Sequence, residues 1–220
     1  MFKHGMTIGP VGNVRPCCMY MNEDIDQRYN EPGWREKFDE LYDASLDKWL
    51  PNCYECKAEE DRGQTSLRQQ ANEWFEGAQG IQYWDLKLHN TCNLTCNYCY
   101  EYFSSKWAEI KGIKVNANKD IAEEKVFSFI EENMKKNPDV KYNVNLLGGE
   151  PLLQKPNSKL LDTISSRSDI YILTNLTVPL ETNKIASKLL EGDNVAWGIS
   201  FETIGKRFEH VRYGGDWAQL

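Results

Sequence analysis

The chain has 220 residues, a formal net charge of −7, 40% hydrophobic residues and 12% aromatic residues. This composition can form the core of one large domain, or of a medium domain with a small companion. The acidic balance argues against a nucleic-acid surface, and no apolar run is long enough for a signal peptide or a membrane span. We therefore expect a cytoplasmic protein that binds neither nucleic acid nor membrane.

The first part of the chain predicts a small α+β unit. Residues 6–20 contain a glycine-rich turn between short apolar runs, which indicates a hairpin. Apolar residues at helical spacing then predict helices over about 34–49 and 65–75. The segment GAQG breaks this pattern, so we predict one cysteine-rich module over 1–78 and a second domain over 79–220.

The second part alternates strands with helices. The predicted strands are residues 84–88, 142–146, 169–175 and 195–202, and the predicted helices are 119–136, 159–165, 182–190 and one beginning near 216. This alternation is typical of βαβ units with a parallel sheet, so the predicted class is α/β with about four parallel strands.

The seven cysteines fall into two groups: Cys17, Cys18, Cys53 and Cys56, and then Cys92, Cys96 and Cys99. An odd number excludes a complete disulfide framework. In a reducing compartment, such groups are more typical of metal ligands or catalytic residues than of disulfides.

The stretch CNLTCNYCY contains the second group directly after a predicted strand. A structural zinc site takes four ligands, and a cluster of four irons and four sulfurs also has four irons to bind. Three cysteines on one loop would hold three irons and leave the fourth open to an external ligand. A zinc knuckle, or a chance spacing, is the alternative.

The spacing CxxxCxxC, with Tyr98 before the last cysteine, resembles the signature of the radical S-adenosylmethionine (SAM) enzymes. The resemblance implies a partial (βα) barrel, a [4Fe-4S] cluster on Cys92, Cys96 and Cys99, and SAM on the open iron. It further implies reductive cleavage of SAM to a 5′-deoxyadenosyl radical, with an electron donor such as a flavodoxin or ferredoxin.

Other polar and glycine positions match the family's cofactor contacts at the carboxyl ends of the predicted strands. GGEP follows the second strand, where the family has its glycine-rich SAM motif, and glycine permits close backbone approach. Glu150 is expected to accept hydrogen bonds from the SAM ammonium group. The resemblance implies these cofactor-binding residues: Tyr98, Gly148, Gly149, Glu150, Asn175, Ser200, Glu202 and Arg212. For Asn175, Ser200, Glu202 and Arg212, a helix cap or a turn is the alternative role.

The first cysteine group, in VRPCCMY and NCYEC, resembles the auxiliary-cluster modules called SPASM and Twitch. The resemblance implies Cys17, Cys53 and Cys56 as ligands of an auxiliary iron–sulfur cluster, and it implies a peptide or protein substrate. Cys18 is either the fourth ligand or a buried neighbour. Zinc on all four cysteines is the alternative.

The chain departs from the family in two ways: the cysteine-rich module precedes the radical domain, and fewer strands are predicted than a full radical SAM barrel has. We expect a fragment of a longer protein, or a chain completed by another. The 220-residue chain should then associate and bind SAM weakly. The alternative from another functional class is a non-catalytic iron–sulfur or zinc protein that recognises a partner.

Overall fold

A computed structural model describes residues 4–20, 27–28, 32–78, 80–115 and 119–220, with the backbone alone for residues 27, 28 and 119–123. The strands of this part of the chain are β1 (Gly5–Ile8), β2 (Asn13–Arg15), β3 (Gln27–Arg28), β4 (Tyr83–Leu86), β5 (Thr95–Cys96), β6 (Tyr142–Leu146), β7 (Ser168–Thr174), β8 (Val195–Ile199) and β9 (Arg212–Tyr213). Its α-helices are α1 (Trp34–Asp47), α2 (Tyr54–Asp61), α3 (Leu67–Trp74), α4 (Ser105–Lys111), α5 (Lys119–Lys136), α6 (Pro156–Ile164), α7 (Lys184–Leu190) and α8 (Lys206–Val211). No described helix has the length and apolar character needed to cross a membrane.

The main sheet is α/β in character and largely parallel. Its strand order is β3-β2-β1-β4-β6-β7-β8, and β4, β6, β7 and β8 run parallel to one another. These are the four strands predicted from the sequence. The predicted hairpin is also present as β1 and β2. The sequence did not predict that β1 pairs in parallel with β4 and so becomes a fifth parallel strand.

The two faces of this sheet differ in chemistry because successive side chains point to opposite sides. On one face, Trp84, Val144 and Ile170 are opposite one another. Two residues further along each strand, on the same face, are Leu86, Leu146 and Ile172. Helices α5, α6 and α7 cover this face and form the core with it. The other face carries polar side chains at its centre, including Asp85 and Asn145.

The segment before residue 78 shares this core. Met6 and Ile8 of β1 and Phe38 of α1 belong to the same buried cluster as Leu86 of β4. The division at residue 78 stays a prediction, and residue 79 of the predicted boundary lies outside the described residues. Within the described part, the two predicted units form one continuous sheet.

The helices differ from the prediction mainly near the functional loops. The helix predicted near 216 was wrong, because Trp217–Gln219 is a single 3-10 turn in which the Asp216 carboxylate accepts from the Ala218 N–H at 2.9 Å. The helices α2, α4 and α8 were not predicted. Each has eight residues or fewer and so offers few apolar positions, although α3 and α7 are about as short and were predicted.

Candidate functional site

Helix α4 holds the loop that carries the second cysteine group. The Cys92 N–H donates to Ser105 Oγ, and the Ser105 hydroxyl lies 3.1 Å from the Cys92 carbonyl oxygen. The indole N–H of Trp107 donates to the Cys96 carbonyl oxygen at 2.9 Å. The loop backbone is therefore anchored at two of the three cysteines, which restricts where their sulfur atoms lie.

A second, two-stranded sheet joins this loop to the end of α8. Strands β5 and β9 are antiparallel, and their register places Cys96 opposite Arg212. Arg212 is only 6% exposed, and one of its guanidinium nitrogens lies 3.9 Å from the Cys96 sulfur. The structure thus brings a predicted cofactor residue beside a predicted ligand that is 116 positions away in the chain.

A cavity of about 420 Å³ opens beside the cysteine loop, and its size is typical of small-molecule sites. The predicted residues that line it are Cys92, Cys96, Tyr98, Cys99, Gly148, Gly149, Asn175, Ser200, Glu202 and Arg212. The wall is completed by the apolar residues Leu94, Phe103, Leu173, Ile199 and Phe201. Glu150 is the predicted cofactor residue that does not line the cavity.

The three thiols suit a metal–sulfur centre by their chemistry. Burial raises the pKa of the Cys92 thiol to about 11, and burial also raises the pKa of Cys96 and of Cys99. A bound metal would reverse this by deprotonating its thiol ligands. No three described His, Cys, Asp or Glu side chains are grouped to hold a metal ion. A cluster distributes its thiolates over separate irons, and three thiols lining one cavity fit that donor set.

The glycines of GGEP bring the loop after β6 against the cysteine loop. A Cβ on Gly149 would lie 2.3 Å from the Thr91 carbonyl oxygen, and one on Gly148 would lie 2.9 Å from that of His89. Gly148 also has a φ of 104°, a conformation that favours glycine. The close approach predicted for these glycines is therefore made to the backbone of residues 89–91, on the cavity wall.

Glu150 is fully buried, and both of its carboxylate oxygens accept hydrogen bonds. Oε1 accepts from the Thr174 hydroxyl at 2.7 Å and from the Leu152 N–H at 3.1 Å, and Oε2 accepts from the Asn175 N–H at 2.7 Å. Burial raises the pKa of this carboxyl, and the hydrogen bonds from Asn175 and Thr174 oppose that rise. Its direct contact with SAM stays a prediction, and the contacts described here position the end of β7.

Asn175 is held in the cavity wall by a short polar network. Its amide nitrogen donates to Asn93 Oδ1 at 3.1 Å, and its Oδ1 accepts from the Thr177 hydroxyl at 2.7 Å. Between them, Leu176 has a φ of 56°, which is unusual for a residue with a branched side chain. The network fixes a strained turn at the carboxyl end of β7, as observed at many binding sites.

Glu202 links Tyr98 to Arg212. Its carboxylate accepts two hydrogen bonds from the Arg212 guanidinium, at 2.9 and 2.5 Å, and one from the Tyr98 hydroxyl at 2.8 Å. The Arg212 hydrogen bond lowers the pKa of Glu202. The guanidinium also lies 5.6 Å from the centre of the Tyr98 ring. The bidentate pair keeps Arg212 charged and oriented beside Cys96.

The first cysteine group also converges. Cys17, Cys18, Cys53 and Cys56 all line one cavity of about 60 Å³, together with Arg68 and Tyr83. Burial, with a further contribution from Cys18, raises the pKa of Cys17 to about 12. Cys18 lines this cavity and also contacts the Asp85 carboxylate, so both of its predicted roles stay open. All seven cysteines of the chain are free thiols in the structure.

Sequence reasoning missed the residues that support the site. Ser105, Trp107 and Asn93 anchor the cysteine loop or the cavity wall, but none of the three was assigned a role from the sequence. Asn93 directly follows Cys92, and its position inside the motif was an available signal. Ser105 and Trp107 lie on α4, a helix of seven residues that was not predicted, and no sequence signal identified them.

Comparison with known proteins agrees with this geometry. The model of the radical SAM superfamily matches residues 86–220. The chain is also 40% identical over 92 residues to a 7-carboxy-7-deazaguanine synthase of Clostridium acetobutylicum. This match covers 41% of the chain and 36% of the relative, so the chain spans about a third of that relative's length.

Proposed function

Because this chain belongs to the radical SAM superfamily, we propose that it is an enzyme that cleaves SAM reductively in the cavity of about 420 Å³. Cys92, Cys96 and Cys99 would hold a [4Fe-4S] cluster through three of its irons, and SAM would bind the open iron. When bound, the cluster supplies the electron that releases a 5′-deoxyadenosyl radical from SAM. The convergence of all three cysteines on one cavity carries this proposal.

The polar residues of the same cavity support a site for SAM. Asn175 and Ser200 follow neighbouring parallel strands, and the Ser200 N–H donates to the Thr174 carbonyl at 2.9 Å. We assign these two side chains to the polar groups of the methionyl and ribose portions. The pair of Glu202 with Arg212 would orient the cofactor electrostatically, while Gly148 and Gly149 keep the wall free of side chains.

For the substrate, two observations favour different classes. The resemblance of the first cysteine group to SPASM and Twitch modules favours a peptide or protein. The relative is named for 7-carboxy-7-deazaguanine, which favours a small molecule. We propose a small-molecule substrate because that support comes from a match at 40% identity, whereas the peptide reading depends on module resemblance alone.

We also propose an auxiliary metal site on Cys17, Cys18, Cys53 and Cys56. The support is that all four thiols line one cavity, although they come from two separate segments. An iron–sulfur cluster is the candidate, because it distributes its thiolates over separate irons. A single zinc ion is less favoured, because it needs closely grouped ligands and no three described side chains are grouped in this way. Free thiols throughout the chain also favour the cytoplasm, where an external donor such as a flavodoxin or ferredoxin can reduce the enzyme.

Anaerobic reconstitution with iron and sulfide tests both parts of this proposal. Two [4Fe-4S] clusters would give about eight irons per chain, and the Cys96→Ala variant should fall to about four and lose SAM cleavage under dithionite. The Cys53→Ala variant should instead keep the cluster on Cys92, Cys96 and Cys99, and with it SAM cleavage. Full cleavage by Cys96→Ala would contradict the cluster assignment. A protein with clusters but no 5′-deoxyadenosine product would favour a non-catalytic role.

A further inference from the structure

The face of the main sheet opposite the helices carries a row of polar residues across its strands. The paired registers place these residues at one level: Arg15 on β2, Thr7 on β1, Asp85 on β4, Asn145 on β6 and Tyr171 on β7. We call this row the polar sheet face. It lies between the two cysteine cavities. Tyr83, two residues before Asp85 on β4, lines the first cavity, and Leu173, two residues after Tyr171 on β7, lines the second.

Asp85, at the centre of the polar sheet face, is already satisfied. It is 1% exposed, and its carboxylate accepts from the Asn145 amide at 2.7 Å and from the Thr7 hydroxyl at 3.3 Å. The Cys18 thiol also contacts it. Asp85 therefore joins three strands and has little capacity left to neutralise another charge.

Lys87 extends the same face by one further level toward the second cavity. It is two residues beyond Asp85, and its N–H continues the ladder to the Ile8 carbonyl at 2.8 Å. Its side chain is partly buried, and its ammonium lies 5.6 Å from the centre of the Phe103 ring. Phe103 lines the cavity that holds the three cysteines. Lys87 thus stands at the border between the polar sheet face and the proposed radical site.

In the part of the chain that the structure describes, Lys87 forms no ion pair. Partly buried cations are normally paired, because burial without a counter-ion is costly. Asp85, two residues before Lys87, is engaged by Asn145 and Thr7. The Cys18 thiol also interacts with Lys87, but burial raises its pKa, so the free thiol carries no charge. Contact with an aromatic ring stabilises a cation only modestly and supplies no negative charge. The missing counter-ion would therefore come from a molecule that enters the cavity.

We propose that Lys87 binds an anionic group, a carboxylate or a phosphate, of the small molecule on which the enzyme acts. The substrate would enter the cavity of the three cysteines, with its anionic end at Lys87 and its reacting carbon toward the cysteine loop. This inference rests on the proposed function. It differs from the charged contact proposed for SAM, because the Arg212 guanidinium lies beside Cys96, whereas the Lys87 ammonium lies against the Phe103 ring.

The test uses three variants of the reconstituted protein. Lys87→Met removes the charge at similar length, and Lys87→Arg keeps the charge. The matched control is Lys159→Met, because the Lys159 ammonium lies 5.5 Å from the Phe127 ring on the helix-covered side of the sheet. Iron content and SAM affinity, by equilibrium dialysis, should agree with the wild-type protein within about twofold for all three variants.

The probe is a small-molecule extract from bacteria grown in deuterated water, separated on an anion exchanger at neutral pH. Each fraction is incubated with protein, SAM and dithionite, and the deuterium content of the 5′-deoxyadenosine product is measured by mass spectrometry. Deuterium should appear with the retained, anionic fraction. Its rate of transfer should fall about ten- to a hundredfold for Lys87→Met, as for loss of one charged hydrogen bond, and be largely restored by Lys87→Arg.

The outcomes separate this inference from the proposed function. If no protein cleaves SAM, the proposed function fails and this inference fails with it. If SAM is cleaved but deuterium comes from the unretained fraction, from the macromolecular fraction or from no fraction, the anionic small molecule is excluded. Equal transfer by Lys87→Met also overturns the inference. A tenfold loss of SAM affinity in Lys87→Met would instead assign Lys87 to the SAM carboxylate.

Discussion

Glu150 shows how a residue identified from a motif can act through its neighbours. Its carboxylate is fully buried and accepts from Thr174, Asn175 and Leu152, so it fixes the turn that carries Asn175 into the cavity wall. Glu202, in contrast, is partly exposed, and its carboxylate lies in the wall itself. Of two glutamates that the sequence assigned to the same role, one has the position of a support and the other that of a contact.

We predict that Glu150→Gln lowers both the stability of the protein and its affinity for SAM, while the iron content is unchanged. The new amide would direct its own N–H groups toward hydrogen-bond donors that the carboxylate now accepts from. A buried hydrogen bond to a charged group contributes about 1.5–3 kcal/mol to stability. Denaturant unfolding and equilibrium dialysis of SAM measure the two effects. Because Glu109 is exposed and forms a surface ion pair with Lys106, Glu109→Gln should change neither by more than about 0.5 kcal/mol. An unchanged unfolding midpoint in Glu150→Gln would show that this network contributes little.

At the scale of elements, the sheet depends on hydrogen bonds between side chains as well as on its apolar face. Asp85 connects β4 to β1 through Thr7 and to β6 through Asn145. These three residues are opposite one another in the register, so their contacts follow from strand pairing. The polar sheet face is therefore held together by an acid that is inaccessible to solvent.

We predict that Asp85→Ala destabilises the protein by about 2 kcal/mol, because it leaves buried donors without an acceptor. The midpoint of urea unfolding, measured on the intact chain, gives the value. A suitable comparison is Asp169→Ala on β7, whose pair with Lys141 is largely exposed, and which should cost less than about 1 kcal/mol. Equal stability of the two variants would contradict this prediction, because it would mean that water replaces the inter-strand hydrogen bonds of Asp85.

Alternating apolar residues predicted β6, an apolar run predicted β7, and the alternation of strands with helices predicted their parallel arrangement. The cysteines were identified from their spacing and the family resemblance, and the strand-end residues from the same resemblance, which agrees with the shared edge at the carboxyl ends of parallel strands. It did not predict that β1 pairs with β4, because that contact joins residues nearly 80 positions apart and depends on tertiary packing. Nor did it predict the burial of Glu150, whose hydrogen-bond partners Thr174 and Asn175 are 24 and 25 positions away.

At the scale of the whole molecule, the family model and the physical unit have different limits. The model begins at residue 86, whereas the core that supports β4 includes Met6, Ile8, Val14 and Phe38 from the segment before it. Strand β1 also covers the main-chain edge of β4 with a full parallel ladder. The radical SAM region is therefore continuous with the cysteine-rich segment in the described structure.

We predict that a fragment of residues 79–220 does not fold as a stable unit. Removing the first 78 residues would expose the β4 edge, in addition to the β8 edge, and would remove Met6, Ile8, Val14 and Phe38 from the core that contains Trp84 and Leu86. An exposed, apolar strand edge promotes association. Light scattering and thermal unfolding should show larger aggregates and a less cooperative transition for the fragment than for the 220-residue chain. Supplying residues 1–78 as a separate peptide should not fully restore the fragment, because β1 and β4 would have to pair between chains. A monodisperse, cooperatively unfolding fragment would instead establish that residues 1–78 and 79–220 are separate domains.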